Sequence, residues 1–262
     1  MIKNFPTVLK PFVKLFVGIF LGICLSILTQ IMLAQASGNL LVSAAASLQP
    51  SLKAITANYS GKVTYNFGGS GALQQQIMQG APVDVFISAG VKQMNALETK
   101  GLLLFKTNLL TNQLVLITPK SSSVQLSNFS QLVNANIKRI AIADPRSVPV
   151  GQYAQEVLEN LGIFAKLQSK FVLGNSVRFV LTAVESGEVD AGIVYISDAK
   201  NSEKVLISTI ADQKLHSPII YPISIIKSSQ NPKAAKEYVE FLQSNKARAV
   251  FQKYGFGVIS KS

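Results

Sequence analysis

From Leu40 onward the chain alternates short apolar runs with amphipathic helical patterns, punctuated by glycine, proline and serine, and this alternation most restricts the fold. Leu40-Leu41-Val42 reads as a strand. Leu48, Leu52, Ile55 and Tyr59 then recur at helical spacing, with Pro50 tolerated in the first turn. Val63 to Phe67 is a second strand, stopped by Gly68-Gly69-Ser70-Gly71, and Leu73, Ile77 and Met78 mark the next helix. Val83 to Ser88 follows Pro82 as a strand, and a helix to about Lys100 ends at Gly101. Strands separated by helices imply crossover connections and a mostly parallel sheet with helices on its faces.

The pattern then restarts. Leu114 to Thr118 is a strand closed by Pro119 and the serines 121 to 123, and Arg139 to Ala143 is another. A helical stripe runs from Val150 to Leu161, opened by Pro149 and ended by Gly162. Val177 to Ser186 is a helix stopped by Gly187, Val189 to Tyr195 a strand, and Ile219 to Ile226 a return strand. The helices Pro232 to Gln243 and Asn245 to Tyr254 need a sheet to cover, and the first unit has room. The expected organisation is a discontinuous first lobe, 37–117 and 220–262, enclosing a second lobe, 118–219.

Residues 1–36 read as a leader. Lys3, Lys10 and Lys14 precede an apolar run from Leu15 to Leu28, and Ala34-Gln35-Ala36 is a small-x-small cleavage pattern. The rival reading is an uncleaved anchor, since the run nearly spans a bilayer once Ile31 to Leu33 are added. Cys24, the only cysteine, follows Ile23, which is too bulky for lipoprotein cleavage. An exported, periplasmic chain without cysteine after cleavage is expected, which excludes thiol, iron-sulfur and cysteine-zinc chemistry. Removing the three leader lysines lowers the net charge from +12 to +9, which permits an anionic partner without naming it. No basic stripe or helix-turn-helix signal points to nucleic acid.

Ligands of open α/β sheets bind at the carboxyl ends of strands. Four such junctions carry small or flexible residues: Ala44-Ala45-Ala46-Ser47, Gly68-Gly69-Ser70-Gly71, Val148-Pro149-Val150-Gly151 and Asn175-Ser176-Val177. Each would present unpaired N–H groups at the positive end of a helix, an anion site. Glycines around Ser70 allow positive φ and hence an inward-turned nest of N–H groups. The plainer reading of Ser47 and Ser70 is helix N-caps, and of Tyr195 an amphipathic core residue whose hydroxyl sits at a strand's carboxyl end.

Catalytic readings fail on inventory. A nucleophile elbow around Ser70 needs glycine at 72, where the chain has alanine; the dinucleotide fingerprint needs glycine where Gln74 stands. His216 is the only histidine and lies in a polar stretch, so no serine triad has a second choice of base. No Walker lysine, metal-ligand cluster or paired carboxylates appear, so no enzyme and no cofactor are expected.

Taken together, Ala44-Ala45-Ala46-Ser47-Leu48, Phe67 to Leu73, Gly80 to Ala89, Asp144-Pro145 with Val148 to Gly151, and Gly192 to Tyr195 resemble the periplasmic molybdate-binding proteins of ABC importers, from about Leu40 to Gly257. The resemblance implies a two-lobed type II periplasmic binding fold that holds molybdate or tungstate in the cleft, acts as a monomer and docks on a membrane permease. It implies hydroxyl and amide donors at Ser47 and Ser70, N–H donors at Val150 and Val177, and the hydroxyl of Tyr195, all as ligands of the oxyanion. Where some members carry a serine run, this chain has Gly69-Ser70-Gly71. Arg146 and Arg178 lie beside the loops, and the neutral-donor pattern assigns them to rim or solvated positions.

A site of donors alone disfavours hydrogen phosphate, whose proton needs an acceptor, at a cost of about 1 to 3 kcal/mol. Molybdate, tungstate and sulfate pass that test; cavity size must separate them. The alternatives are the same fold serving sulfate or another anion, and an exported serine hydrolase using Ser70.

Overall fold

The computed structural model describes residues 39–123 and 125–259; the leader and Cys24 lie outside the described residues. In chain order the elements begin β1 (Leu40–Ala45), α1 (Gln49–Thr56), β2 (Val63–Gly68), α2 (Ser70–Met78), β3 (Val85–Ile87), α3 (Val91–Thr99) and β4 (Leu103–Thr111). They continue with β5 (Leu114–Pro119), β6 (Ile140–Ala143), α4 (Pro149–Asn160), α5 (Phe164–Leu167), β7 (Phe171–Gly174), α6 (Val177–Glu185), β8 (Ala191–Tyr195) and α7 (Ile196–Ala199). Last come β9 (Val205–Ile210), β10 (Ile220–Ile226), α8 (Pro232–Leu242), α9 (Asn245–Lys253) and β11 (Gly257–Val258).

These strands form two sheets, ordered β11-β4-β10-β3-β1-β2 and β7-β6-β8-β5-β9. The helical crossovers give the expected parallel pairs: β1 with β2 and β3, and β6 with β7 and β8. Elsewhere the pairing is antiparallel. β10 runs against β3 and β4, β11 against β4, and β5 against β8 and β9. Each sheet is therefore mixed rather than mostly parallel, because the strands that carry the chain between sheets enter from the opposite end and need no crossover helix. The outgoing passage is Asn112-Gln113, so 114–117, which the sequence reading assigns to the first lobe, pairs inside the second sheet. β10 brings the chain back to the first sheet.

The stripe read from sequence packs as expected up to Ile55: Leu48, Leu52 and Ile55 are buried, each contributing about 1.5 to 3 kcal/mol. The helix itself ends at Thr56, and Tyr59 instead stands edge-on to Tyr238, 5.1 Å between ring centroids. In the second lobe Ala154, Val157 and Leu158 of α4 and Val180, Leu181 and Val184 of α6 bury against β6 and β8. Gly101, Gly162 and Gly187 take φ of +68°, +68° and +74° just past their helices, the left-handed stop that glycine adopts without strain. α8 packs on β10, and α9 on α1 and β11, so both helices cover the first sheet. Among the described residues no helix is long and apolar enough to cross a membrane.

Candidate functional site

Carboxyl ends of strands from both sheets meet at one cavity. Its walls include Ser47 after β1, Gly69 and Ser70 after β2, Ala89 after β3, Val148 to Val150 at the start of α4, Val177 at the start of α6, and Tyr195 at the end of β8. All five residues singled out in the sequence, Ser47, Ser70, Val150, Val177 and Tyr195, line it, and each is at most 4% exposed. The cavity is small, about 10 Å³. A cavity of about 610 Å³ lies elsewhere, lined by Asn112, Gln113, Lys200 and His216 among others. Volume does not choose between them. The small cavity is the one on which helix starts from both sheets converge.

The local chemistry follows from how each helix begins. α2 starts at Ser70 with Gly69 as its cap residue and no side-chain cap, and α4 starts after Val148, also uncapped. Pro149 has no N–H, so the first amide of α4 is that of Val150, a residue of the cavity wall. In α6 the cap is Ser176, whose hydroxyl accepts from the Phe179 N–H at 3.4 Å, leaving the Val177 amide in the unbonded first turn. Neither Ser47 nor Ser70 is an N-cap, so the plainer sequence reading of the two serines fails. Ser70 Oγ accepts the Ala89 N–H at 3.0 Å, and Ser47 Oγ lies 3.0 Å from Tyr221 Oη.

The expected positive-φ nest is absent. Gly69 has φ of −64°, and among the described residues the glycines with positive φ are at 80, 101, 162, 187 and 255. Glycine is required here for closeness instead. A β-carbon on Gly69 would stand 2.6 Å from the Asn175 carbonyl oxygen of the other lobe.

Charge stays out of the walls: among the described residues no ionisable group except the Tyr195 phenol lines the cavity. Burial holds that phenol far above its ordinary pKa, keeping it a neutral donor, and it donates to Ala89 O at 3.4 Å. Arg146 forks onto Asp144, with Nη2 2.7 Å and Nε 2.9 Å from carboxylate oxygens; its side chain is 83% exposed, and the hydrogen bonds hold Asp144 below the usual carboxylate range. Arg178 is half-buried and does not line the cavity either. Asp84, part of the Gly80 to Ala89 motif, is a structural anchor: it accepts the Leu41 N–H at 2.9 Å and the Ser229 hydroxyl at 2.6 Å. His216 is half-buried, and among the described residues neither it nor any other base lines the cavity beside Ser70. Among the described residues no cluster of His, Cys, Asp and Glu could hold a metal ion.

Three residues near the site escaped the sequence reading. Tyr221 and Asn112 join Ser47 in a hydrogen-bonded run. Asp198 follows Tyr195 in α7, is 2% exposed, and has no hydrogen-bond partner on either carboxylate oxygen. Burial pushes its pKa up to about 7, opposed by Arg178. An acid three residues after a buried strand is a weak sequence signal, because helix first turns favour acids for unrelated reasons.

Residues 40–257 match the model of the bacterial extracellular solute-binding proteins. The chain belongs to that family. This solute-binding protein is 44% identical over 224 residues to the putative ABC transporter substrate-binding lipoprotein YvgL of Bacillus subtilis, covering 83% of this chain and 85% of that one. It is 35% identical over 231 residues to the molybdate-binding protein ModA of Haemophilus influenzae, covering 84% and 91%. The solved periplasmic molybdate-binding protein of Azotobacter vinelandii superposes with a TM-score of 0.78 at 25% identity, covering 85% of this chain and all of that one. The family binds solutes and is not a family of enzymes. The two-lobed fold expected from the sequence matches that of the Azotobacter vinelandii protein.

Proposed function

We propose that this solute-binding protein captures molybdate or tungstate between its lobes and delivers it, as a monomer on the outer side of the cytoplasmic membrane, to the permease of an ABC importer. The observation that carries the reading is the convergence of Ser47, Ser70, Val150, Val177 and Tyr195 on one cavity without a charged side chain. Two hydroxyls, a phenol and two main-chain amides supply hydrogen-bond donors to a dianion, and each bond to a charged group contributes about 1.5 to 3 kcal/mol. The names of the relatives, molybdate-binding proteins among them, support the choice of anion.

Within this reading, 39–111 with β10, β11 and the last two helices forms one lobe and 114–210 the other, moving about the two chain passages between sheets. Leader export, placed on residues 1–36, would put the protein where an importer's receptor works. Calorimetric titration of the purified protein with molybdate, tungstate, sulfate and phosphate tests the proposal. Tight binding of the two larger oxyanions with weak sulfate and no phosphate binding is expected. Preference for sulfate would assign the site to a smaller anion, and failure of all four would overturn oxyanion capture.

A further inference from the structure

Tyr221 sits in β10 with its ring fully buried, edge-on to Tyr195 at 5.7 Å and to Phe256 at 5.5 Å. Two polar side chains beside its hydroxyl matter here. Ser47 Oγ is 3.0 Å away, and Asn112 Nδ2 donates to the phenol oxygen from 3.2 Å. The far end of the same amide fixes its orientation: Asn112 Oδ1 accepts the Gln113 N–H at 2.9 Å, while Nδ2 also reaches Ser197 Oγ at 2.8 Å. An amide nitrogen donates and cannot accept, so the Asn112 contact has one direction.

A phenol that receives an N–H still has its own proton to give, and Ser47 Oγ, 3.0 Å away, can accept it. Ser47, having accepted, retains its own proton, and its residue lines the cavity. We infer that Asn112 and Tyr221 are positioning residues for the oxyanion site, setting the Ser47 hydroxyl as a donor into the cavity. The inference rests on the oxyanion reading above.

Two further observations fit it. Burial keeps the Tyr221 phenol protonated, so the relay holds its proton through the neutral range. Ser70 is set in the same sense by a main-chain group, since its oxygen accepts the Ala89 N–H and its own proton is left to give. Both serines thus face the cavity as donors before any anion arrives, one oriented by backbone and the other from the passage between sheets. Hydroxyls so oriented lose little freedom on binding.

A double-mutant cycle on molybdate affinity, measured by calorimetry on the purified protein, tests the assignment. Ser47→Ala is expected to weaken binding about tenfold and Tyr221→Phe about fivefold. If Tyr221 acts through Ser47, the pair binds as Ser47→Ala does alone, whereas a separate structural role multiplies the losses to about fiftyfold. Asn112→Ala, placed in the same cycle, reaches the relay from its other end and decides the matter if Tyr221→Phe does not fold. Multiplied losses, or a Tyr221→Phe variant that binds as the parent does, would overturn the relay alone. A parent that binds no molybdate would overturn the functional reading, and the relay with it.

Discussion

Gly71, near the start of α2, meets the carbonyl of Ser147 in the other lobe so closely that a β-carbon on it would lie 2.1 Å from that oxygen and 2.9 Å from its carbon. The obstacle is backbone and cannot swing aside. Gly71→Ala should hold the lobes apart while leaving each lobe folded. We expect molybdate affinity to fall at least about tenfold, near 1.4 kcal/mol or more, and small-angle scattering to show no compaction on adding the anion. Compaction equal to the parent's would show that the two lobes do not need this contact.

Ser70→Ala removes one donor from the cavity and also strips the Ala89 N–H of its acceptor. Binding should weaken by about 1 to 3 kcal/mol, and stability should drop by about 1 kcal/mol with the fold retained. Titration calorimetry and a thermal melt separate the two effects. An unchanged affinity beside a lowered melting temperature would leave Ser70 a purely structural residue.

Tyr195→Phe should matter less. The ring stays in the core, and the hydroxyl has a long bond to Ala89 O that the anion must replace, so the net loss is about 1 kcal/mol or below. A loss comparable with that of Ser70→Ala would reverse this ranking.

Asp198 makes stability depend on pH in an unusual sense for an acid. Its pKa rises from the ordinary 3.8 to about 7 on folding, so the native state holds the proton more tightly than the unfolded chain does. Its contribution therefore favours the fold most at low pH and is lost as pH climbs between these two values, by on the order of a few kcal/mol. Asp198→Asn should abolish that slope and raise the midpoint of urea unfolding at pH 8. Identical pH profiles for parent and variant would place the proton elsewhere.

The parallel strands other than β7, and the longer helices that join them, were legible because periodicity and glycine stops agree there, as at Val177 to Gly187 and Pro149 to Gly162; β7, four residues long with three of them only partly buried or exposed, carries no such pattern. β4 and β9 were not. Leu104, Phe105, Leu206, Ile207 and Ile210 are exposed apolar residues, so neither strand alternates polar with apolar. β9 is also an edge strand with one bonded neighbour. At the cavity, the residues named in the sequence sit at strand ends, where backbone position alone brings them together. Asn112, Tyr221 and Asp198 come close only through tertiary folding, and no spacing in the chain announces them.

In the proposed site Val150 and Val177 act through the main-chain amides of their helices' first turns, not through side chains. Any residue except proline keeps such an N–H in place. Two relatives can therefore differ at both positions and recognise the same solute, while a proline scan would expose what alanine scanning passes over.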